Sequence, residues 1–475
     1  MAASGRNIIG ETLRVLTADL ESRVAPHLQD ADAILAAKMI ADLLGYLAIW
    51  HLEPLDRDDP SDATFVHGPA QSGIGAPPWP SDVPAAGLER GLRAAALQQA
   101  IEEAASPDMK LLTAAVAGDS ALYQAEAIAA PRIGASAAER LAQVEITLDA
   151  ERAGKLVRRC LGEGYEVESV VRVPGGFSKD SFFLDLRART GESERVVVRR
   201  DLPFGPGETR VVAEYALLRS LAGRDLLIAE PLGCDPTGIV GQPAMISRRV
   251  SGNSGTAPWD ADPVLRRDIC LTLAGVLARL HAIVPADVGL APVSCDPREQ
   301  LRAQVLEWRD RWRRNRVHAS PTLAAAFFWL LDNIPAEIDR VSIIHGDVGF
   351  HNMIVDDGRL AALLDWEFAH LGDPTEDLGY CRQFVEPLMP WEDFLQGYRA
   401  AGGGDYRDEN ARFFELWRAV RNAVCCSVSW RGFLSGAYPA LKMAYQGIPL
   451  YRVFVHHTAE ALKEKFQCET PAATP

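Results

Sequence analysis

Apolar residues in this chain follow two periods, and the changes between them divide it into three stretches. Across 10–50 the spacing is helical, with Leu13, Leu16, Leu20 and Val24 followed by Ile34, Met39, Ile40, Leu43 and Leu47. Asp30 or Asp32 can cap the second of these helices. The pattern stops over 53–87, where Pro, Gly, Asp and Ser dominate and Pro77 to Pro80 read P-P-W-P, which predicts a long loop or lid. Helical spacing returns over 88–105, 110–129 and 135–161, with a candidate linker at 131–136.

From about 165 the period shortens. Strands are predicted over 167–173, 181–186 and 194–200, a helix over 209–221, and further strands over 229–234 and 243–249. Beyond a hinge carrying Gly252, helices are predicted over 262–283, 297–315 and 321–334. Two short apolar runs, 353–355 and 360–364, flank Asp356-Asp357-Gly358 and form a hairpin, and helices follow over 391–401, 408–434 and 441–466.

With 475 residues there is room for two or three domains, each with its own core. The formal charge of -15 argues against a nucleic-acid partner, because binding to phosphate backbones needs basic stripes. Arg309, Arg311, Arg313, Arg314 and Arg316 form the one dense basic run, which reads as a solvated helix face. The 8 cysteines show no C-x-x-C spacing and support neither a zinc site nor a disulfide framework. No apolar run reaches the ~18 residues of a membrane span, and the first ten residues lack the apolar core of a leader, so a cytoplasmic chain is expected.

The chemistry concentrates between His345 and Tyr380. Asp347 and Asn352 have the D-x-x-x-x-N spacing of a kinase catalytic loop, in which the aspartate orients the acceptor hydroxyl and takes its proton while the asparagine holds a metal ion. The hairpin then returns Asp365 beside Asn352, where a second metal ligand belongs. Mg2+ prefers oxygen ligands and takes most of them from its nucleotide and water, so Asn352 and Asp365 suffice as the protein's share. Eleven residues separate Asp365 from Asp377, too few for the activation segment of a protein kinase.

This stretch, with D-W-E-F-A-H-L-G-D-P-T-E-D-L-G-Y from Asp365 to Tyr380, resembles the aminoglycoside phosphotransferase and choline kinase-like family. Within that family it is most similar to the branch related to kinase domains found beside acyl-CoA dehydrogenases. The resemblance runs from about Leu156 almost to the C-terminus. It implies an α+β, bilobal protein-kinase-like fold, with 150–250 as the N-lobe and 251–475 as the C-lobe; the helical spacing of 1–145, which the resemblance leaves uncovered, reads as an all-helical N-terminal accessory domain. It also implies ATP and Mg2+ as cofactors and a small-molecule hydroxyl as acceptor.

On that resemblance, the turn from Pro174 to Lys179 lays Gly175, Gly176 and Ser178 over the ATP phosphates, and the third strand supplies a cation paired to a glutamate on the next helix. Arg199 and Glu214 are assigned to that pair, with Arg200 as the alternative cation. The hinge backbone at 247–249 is expected to meet adenine. Glu367 is placed to touch a metal-bound water. His345, His281 and Asp377 are expected to brace the loop rather than act on substrate. Trp308 and Trp312 share one helix face that could line the acceptor pocket, with core packing the favoured use and neither given a role. Trp417, Arg421, Trp430 and Arg431 are candidates for acceptor contacts, with core packing and surface pairing as equal alternatives.

The acceptor stays open between a hydroxyacyl-CoA and an aminoglycoside-type antibiotic. A catalytically silent nucleotide-binding scaffold is the rival from another class. The N-terminal helices could then serve a protein partner or a homo-oligomer.

Overall fold

The computed structural model describes residues 20, 40, 85–104, 107–109, 111–117, 148–173, 176–207, 209–256, 259–435, 437, 438 and 440–469. Outside the described residues lie the helices expected over 10–50 apart from residues 20 and 40, most of the loop expected over 53–87, residues 118–129 and 135–147 of the next expected helices, the 131–136 linker, Pro174 and Gly175. The first extended helix among the described residues, α1, runs Ala85–Glu103.

Helix α2 (Ala150–Leu161) begins where the Asp149 carboxylate accepts the N–H of Arg152, a cap that contributes about 1 kcal/mol. Its buried residues Ala153, Leu156 and Val157 pack on a sheet made of β1 (Tyr165–Val173), β2 (Lys179–Ala188), β3 (Ser193–Asp201), β4 (Pro231–Asp235) and β5 (Ala244–Arg248). Strand order is β1-β2-β3-β5-β4 and every pairing is antiparallel. Phe182, Leu184 and Leu186 of β2, Val196 and Val198 of β3, and Ala244 and Ile246 of β5 form the α2-facing core. Helix α3 (Val211–Leu221) connects β3 to β4.

Past the sheet the chain passes Gly252, at φ 113, where any Cβ would collide with the backbone oxygen of Val355. The two-residue strand β6 (Asn253–Ser254) follows. Asp262 caps α4 (Pro263–Ala282), whose first residue is a proline already set for a helix. Next come α5 (Pro297–Asn315), α6 (Pro321–Asp332), β7 (Ser342–Ile344), β8 (Met353–Asp356), β9 (Arg359–Leu363), β10 (His370–Gly372), α7 (Thr375–Val385), α8 (Trp391–Ala400), α9 (Asp408–Leu434), α10 (Leu441–Tyr445) and α11 (Tyr451–Glu469). Strands β6, β8 and β9 form one small sheet, and β7 pairs with β10 in another. Leu273, Ala274, Leu277 and Leu280 of α4 share one core with Leu363, Trp366, Leu378 and Phe394. This core holds the segments that carry Asp347 and Asp365.

The elements group into two units that do not follow chain order. One takes residues 145–304 and 334–415, and it carries the sheet, the hairpin and the described candidates for the catalytic, metal and phosphate positions, while the acceptor-side candidates fall in the other. The other takes 1–144, 305–333 and 416–475. Within that second unit Trp308 and Trp312 are core residues. Trp308 meets Trp417 edge-on at 6.1 Å, and Trp312 stacks on Phe327 at 5.6 Å. The guanidinium of Arg421 lies over Trp308 at 5.2 Å. Arg313 and Arg316, expected on a solvated face, both reach Glu102 of α1 at 3.3 Å. The single helix expected over 441–466 is interrupted by a π turn at Gln446–Leu450, where Pro449 removes a backbone donor.

Candidate active site

The loop between β7 and β8 is built around one buried carboxylate. Asp377, in the first turn of α7, accepts the backbone N–H of His345 through Oδ2 and that of Gly346 through Oδ1, both at 2.8 Å. His281 adds a third bond to Asp377 from Nε2 at 3.1 Å, and its Nδ1 meets the Tyr398 hydroxyl at 2.9 Å. Gly346 sits at φ 80, with space for a Cβ closed by the Phe368 carbonyl at 2.5 Å. His345 fixes the next residue. Its Nδ1 accepts the Asp347 N–H at 3.2 Å and its Nε2 donates to the Leu364 carbonyl at 3.0 Å, so the ring is neutral and bridges the two segments that carry Asp347 and Asp365. Burial pushes the His345 pKa down, which favours that neutral form.

The five-residue spacing places Asn352 against Asp347: Nδ2 of Asn352 donates to the Asp347 carbonyl at 3.0 Å and to its Oδ2 at 2.8 Å. With the amide nitrogen committed, Oδ1 of Asn352 is the atom left for a cation. The β8–β9 hairpin then returns the chain, pairing Met353 with Leu363, and the Leu364 N–H bonds to the Asn352 carbonyl at 2.7 Å. Asp365 follows directly, at φ 63, a conformation that Asp and Asn adopt more readily than bulkier residues. Burial pushes the Asp347 carboxyl up, but His351, then Tyr380 and His345, outweigh it and hold the group at about 2. It is therefore a carboxylate at neutral pH, a better orienter of a hydroxyl than a strong base.

Strand alternation separates the two arginines of β3. Arg199 leaves the sheet on the α3 side, where Nη1 bonds Glu214 and Nη2 bonds Asp365, each at 2.6 Å. Arg200 faces the opposite way, into the core, where it bonds Asp180 at 3.1 Å and the Val240 carbonyl at 3.0 Å. Burial alone would raise the Asp365 carboxyl, but Arg199 and Lys179 hold it below the usual range. Of the expected turn, Gly176 is described at φ 75, and Ser178 donates its hydroxyl to Glu367 at 2.5 Å. At the hinge the N–H groups of Arg248 and Arg249 are bonded to the carbonyls of Glu230 and Arg195. The expected adenine contact therefore has to come from other backbone atoms.

Lys179 was not singled out from the sequence, yet it lies in this network. Its ammonium is buried, 2.7 Å from Glu367 and 2.9 Å from the Thr209 carbonyl. A lysine at the first position of β2 and a glutamate two residues after Asp365 were the available signals; only the fold brings them together. The side chains of Asp347 and Asp365 are 22% and 36% exposed. That leaves both accessible from outside, while Glu214 and Lys179 are enclosed. Among the described residues no three His, Cys, Asp or Glu side chains converge on a metal position. An amide oxygen and one carboxylate nevertheless suit Mg2+ whose other ligands come from phosphates and water.

The chain is similar to known proteins in sequence and in fold. The sequence model of the phosphotransferase enzyme family matches residues 169–413. Acyl-CoA dehydrogenase family member 11 of Gallus gallus is 28% identical over 225 residues, which are 46% of this chain and 28% of that protein. The chain thus spans little more than a quarter of that relative. Viomycin phosphotransferase of Streptomyces vinaceus is 26% identical over 211 residues, covering 41% of this chain and 71% of that enzyme. Among solved structures, a thermostable mutant of aminoglycoside phosphotransferase APH(4)-Ia, in complex with AMP-PNP and hygromycin B, aligns with 66% of this chain and 99% of its own, at 14% identity and a TM-score of 0.46.

Proposed function

This chain belongs to the phosphotransferase enzyme family, and from that premise we propose that it transfers the γ-phosphoryl group of ATP, with Mg2+, to a hydroxyl group of a small molecule. The observation that carries the reading is the Asp347–Asn352 pair, bonded at 2.8 Å, to which a hairpin returns Asp365.

In this reading Asp347 aligns the acceptor hydroxyl and takes its proton as the new P–O bond forms and the bond to ADP breaks. The Asp347 carboxylate, held below its usual range, orients the hydroxyl more than it drives its deprotonation. Asn352 Oδ1 and the Asp365 carboxylate hold Mg2+, which, when bound, neutralises phosphate charge. Arg199, oriented by Glu214, and the turn carrying Gly175, Gly176 and Ser178 hold the phosphates. Catalysis of this type is mostly positioning and charge stabilisation. We place the two lobes at 150–250 and 251–475 with 1–145 as an accessory region, although 305–333 and 416–475 group with 1–144 in the fold.

For the acceptor we favour a hydroxyacyl-CoA. The similarity to an acyl-CoA dehydrogenase family member supports that choice, and the similarity to viomycin phosphotransferase supports an antibiotic hydroxyl as the second candidate. The test is Mg-ATP-dependent ADP release by the purified chain with hydroxyacyl-CoAs, amino alcohols and aminoglycosides. Acceptor-dependent ADP release is expected, falling by on the order of 10²- to 10³-fold in Asp347→Asn. Release that persists unchanged in that variant would remove Asp347 from the chemistry. ATP binding with no turnover on any acceptor would favour the scaffold.

A further inference from the structure

We propose that Lys179 and Glu367 form a buried latch that fixes the glycine turn against the segment carrying Asp365, and that Lys179 is thereby a positioning residue for the nucleotide. The inference rests on the phosphotransferase reading of the same site and adds two residues to it.

One carboxylate oxygen is the meeting point. Oε2 of Glu367, two residues beyond Asp365, accepts the Ser178 hydroxyl at 2.5 Å and the Lys179 ammonium at 2.7 Å. Both donors come from the first residues after Gly176. The loop that follows β3 closes on the same atom: a Cβ on Gly207 would lie 2.9 Å from Oε2 and 3.2 Å from the Ser178 Cβ. The Thr209 carbonyl, at the end of that loop, accepts a second bond from Lys179 at 2.9 Å. Three segments far apart in sequence are thus joined through one ion pair. They are the turn meant to cover the phosphates, the loop leading into the Glu214 helix, and the turn that presents Asp365.

The pair is enclosed, with side chains 3% and 7% exposed, so it differs in kind from a surface salt bridge. Solvated pairs contribute at most ~1 kcal/mol, whereas deleting one member of a buried pair strands a charge away from water. Lys179 does not duplicate Arg199. Arg199 is engaged with Glu214 and Asp365, while Lys179 lies 3.6 Å from Glu214, beyond hydrogen-bond distance. The arrangement also bears on the expectation that Glu367 touches a metal-bound water. Oε2 already takes two short bonds from the turn, so the structure assigns Glu367 to holding the turn.

The experiment uses the full chain as wild type, Lys179→Met, Lys179→Arg, Glu367→Gln, Ser178→Ala and the Lys179→Met/Glu367→Gln double variant. Equilibrium binding of AMP-PNP is measured by calorimetry, together with the Mg2+ concentration that half-saturates it. Each of Lys179→Met and Glu367→Gln is expected to weaken nucleotide binding roughly 10- to 100-fold. The double variant should be no weaker than the worse single, because both remove the same contact. Lys179→Arg should recover part of the loss, and the Mg2+ requirement should stay at its wild-type value. Ser178→Ala leaves the ion pair intact and so guards against loss of folding; it should weaken binding by roughly 3- to 10-fold. Singles that bind as wild type, additive losses, or a raised Mg2+ requirement confined to Glu367→Gln would each overturn the latch. A wild-type chain that binds no AMP-PNP would overturn the phosphotransferase reading, and the latch with it.

Discussion

Asp365→Asn is expected to leave a folded protein that turns over on the order of 10²- to 10³-fold more slowly at saturating Mg-ATP. Asparagine is the informative replacement because Asp365 sits at φ 63, where Asn is among the few residues that fit without strain. Its carbonyl can still accept the Arg199 bond now made at 2.6 Å, so the surrounding network keeps its shape. What disappears is the negative charge offered to the cation. Asp365→Ala would confuse the result, since it adds backbone strain and strips Arg199 of one of its two carboxylates. The readouts are kcat, the Mg2+ concentration giving half-maximal rate, and the thermal midpoint. The midpoint should move by no more than about 2 °C. Wild-type turnover in Asp365→Asn would withdraw Asp365 from the metal site.

How far the site could be read in advance depended on how local each signal was. Asp347 and Asn352 are joined by five residues of loop, and Asp365 by a hairpin whose turn is written as Asp356-Asp357-Gly358, so all three were legible. The choice between Arg199 and Arg200 was not. Val196-Val197-Val198 is apolar on both faces, so the strand carries no alternation of polarity to show which arginine turns inward. Only the fold reveals that Arg200 enters the core against Asp180. Lys179 and Glu367 are 188 positions apart and no local pattern connects them. Strands β7 and β10 are three residues each, too short for any period to register, although they align the ends of the loop. The break at Gln446–Leu450 was signalled by Pro449 inside an otherwise helical run. The pairing of Arg313 and Arg316 with Glu102 depended on a helix distant in sequence and had no local mark.

Asp377→Ala should be the most damaging change to stability in the catalytic unit. The carboxylate is fully enclosed and accepts three bonds, from the His345 and Gly346 N–H groups and from His281. Alanine would leave two buried backbone donors and a buried imidazole N–H with nothing to bond. A cost of about 3–5 kcal/mol follows from stranding such groups, which corresponds to a fall in the thermal midpoint on the order of 10 °C. Asp377→Asn should fall between the two, because one amide oxygen can still accept while the amide nitrogen faces a donor. The acid limb gives a second reading of the same group. Burial pushes the Asp377 carboxyl up, but its bonds to His281, His345 and the backbone bring it below the ordinary 3.8. A group depressed in the folded state adds stability that is fully present above its unfolded pKa and is lost as pH falls through the folded value. Wild type should therefore lose stability below about pH 4, more steeply than Asp377→Asn, when thermal unfolding is followed by circular dichroism across that range. If the two proteins share a midpoint and an acid slope, the loop is anchored by something other than this carboxylate, and the placement of Asp347 has to be explained without it.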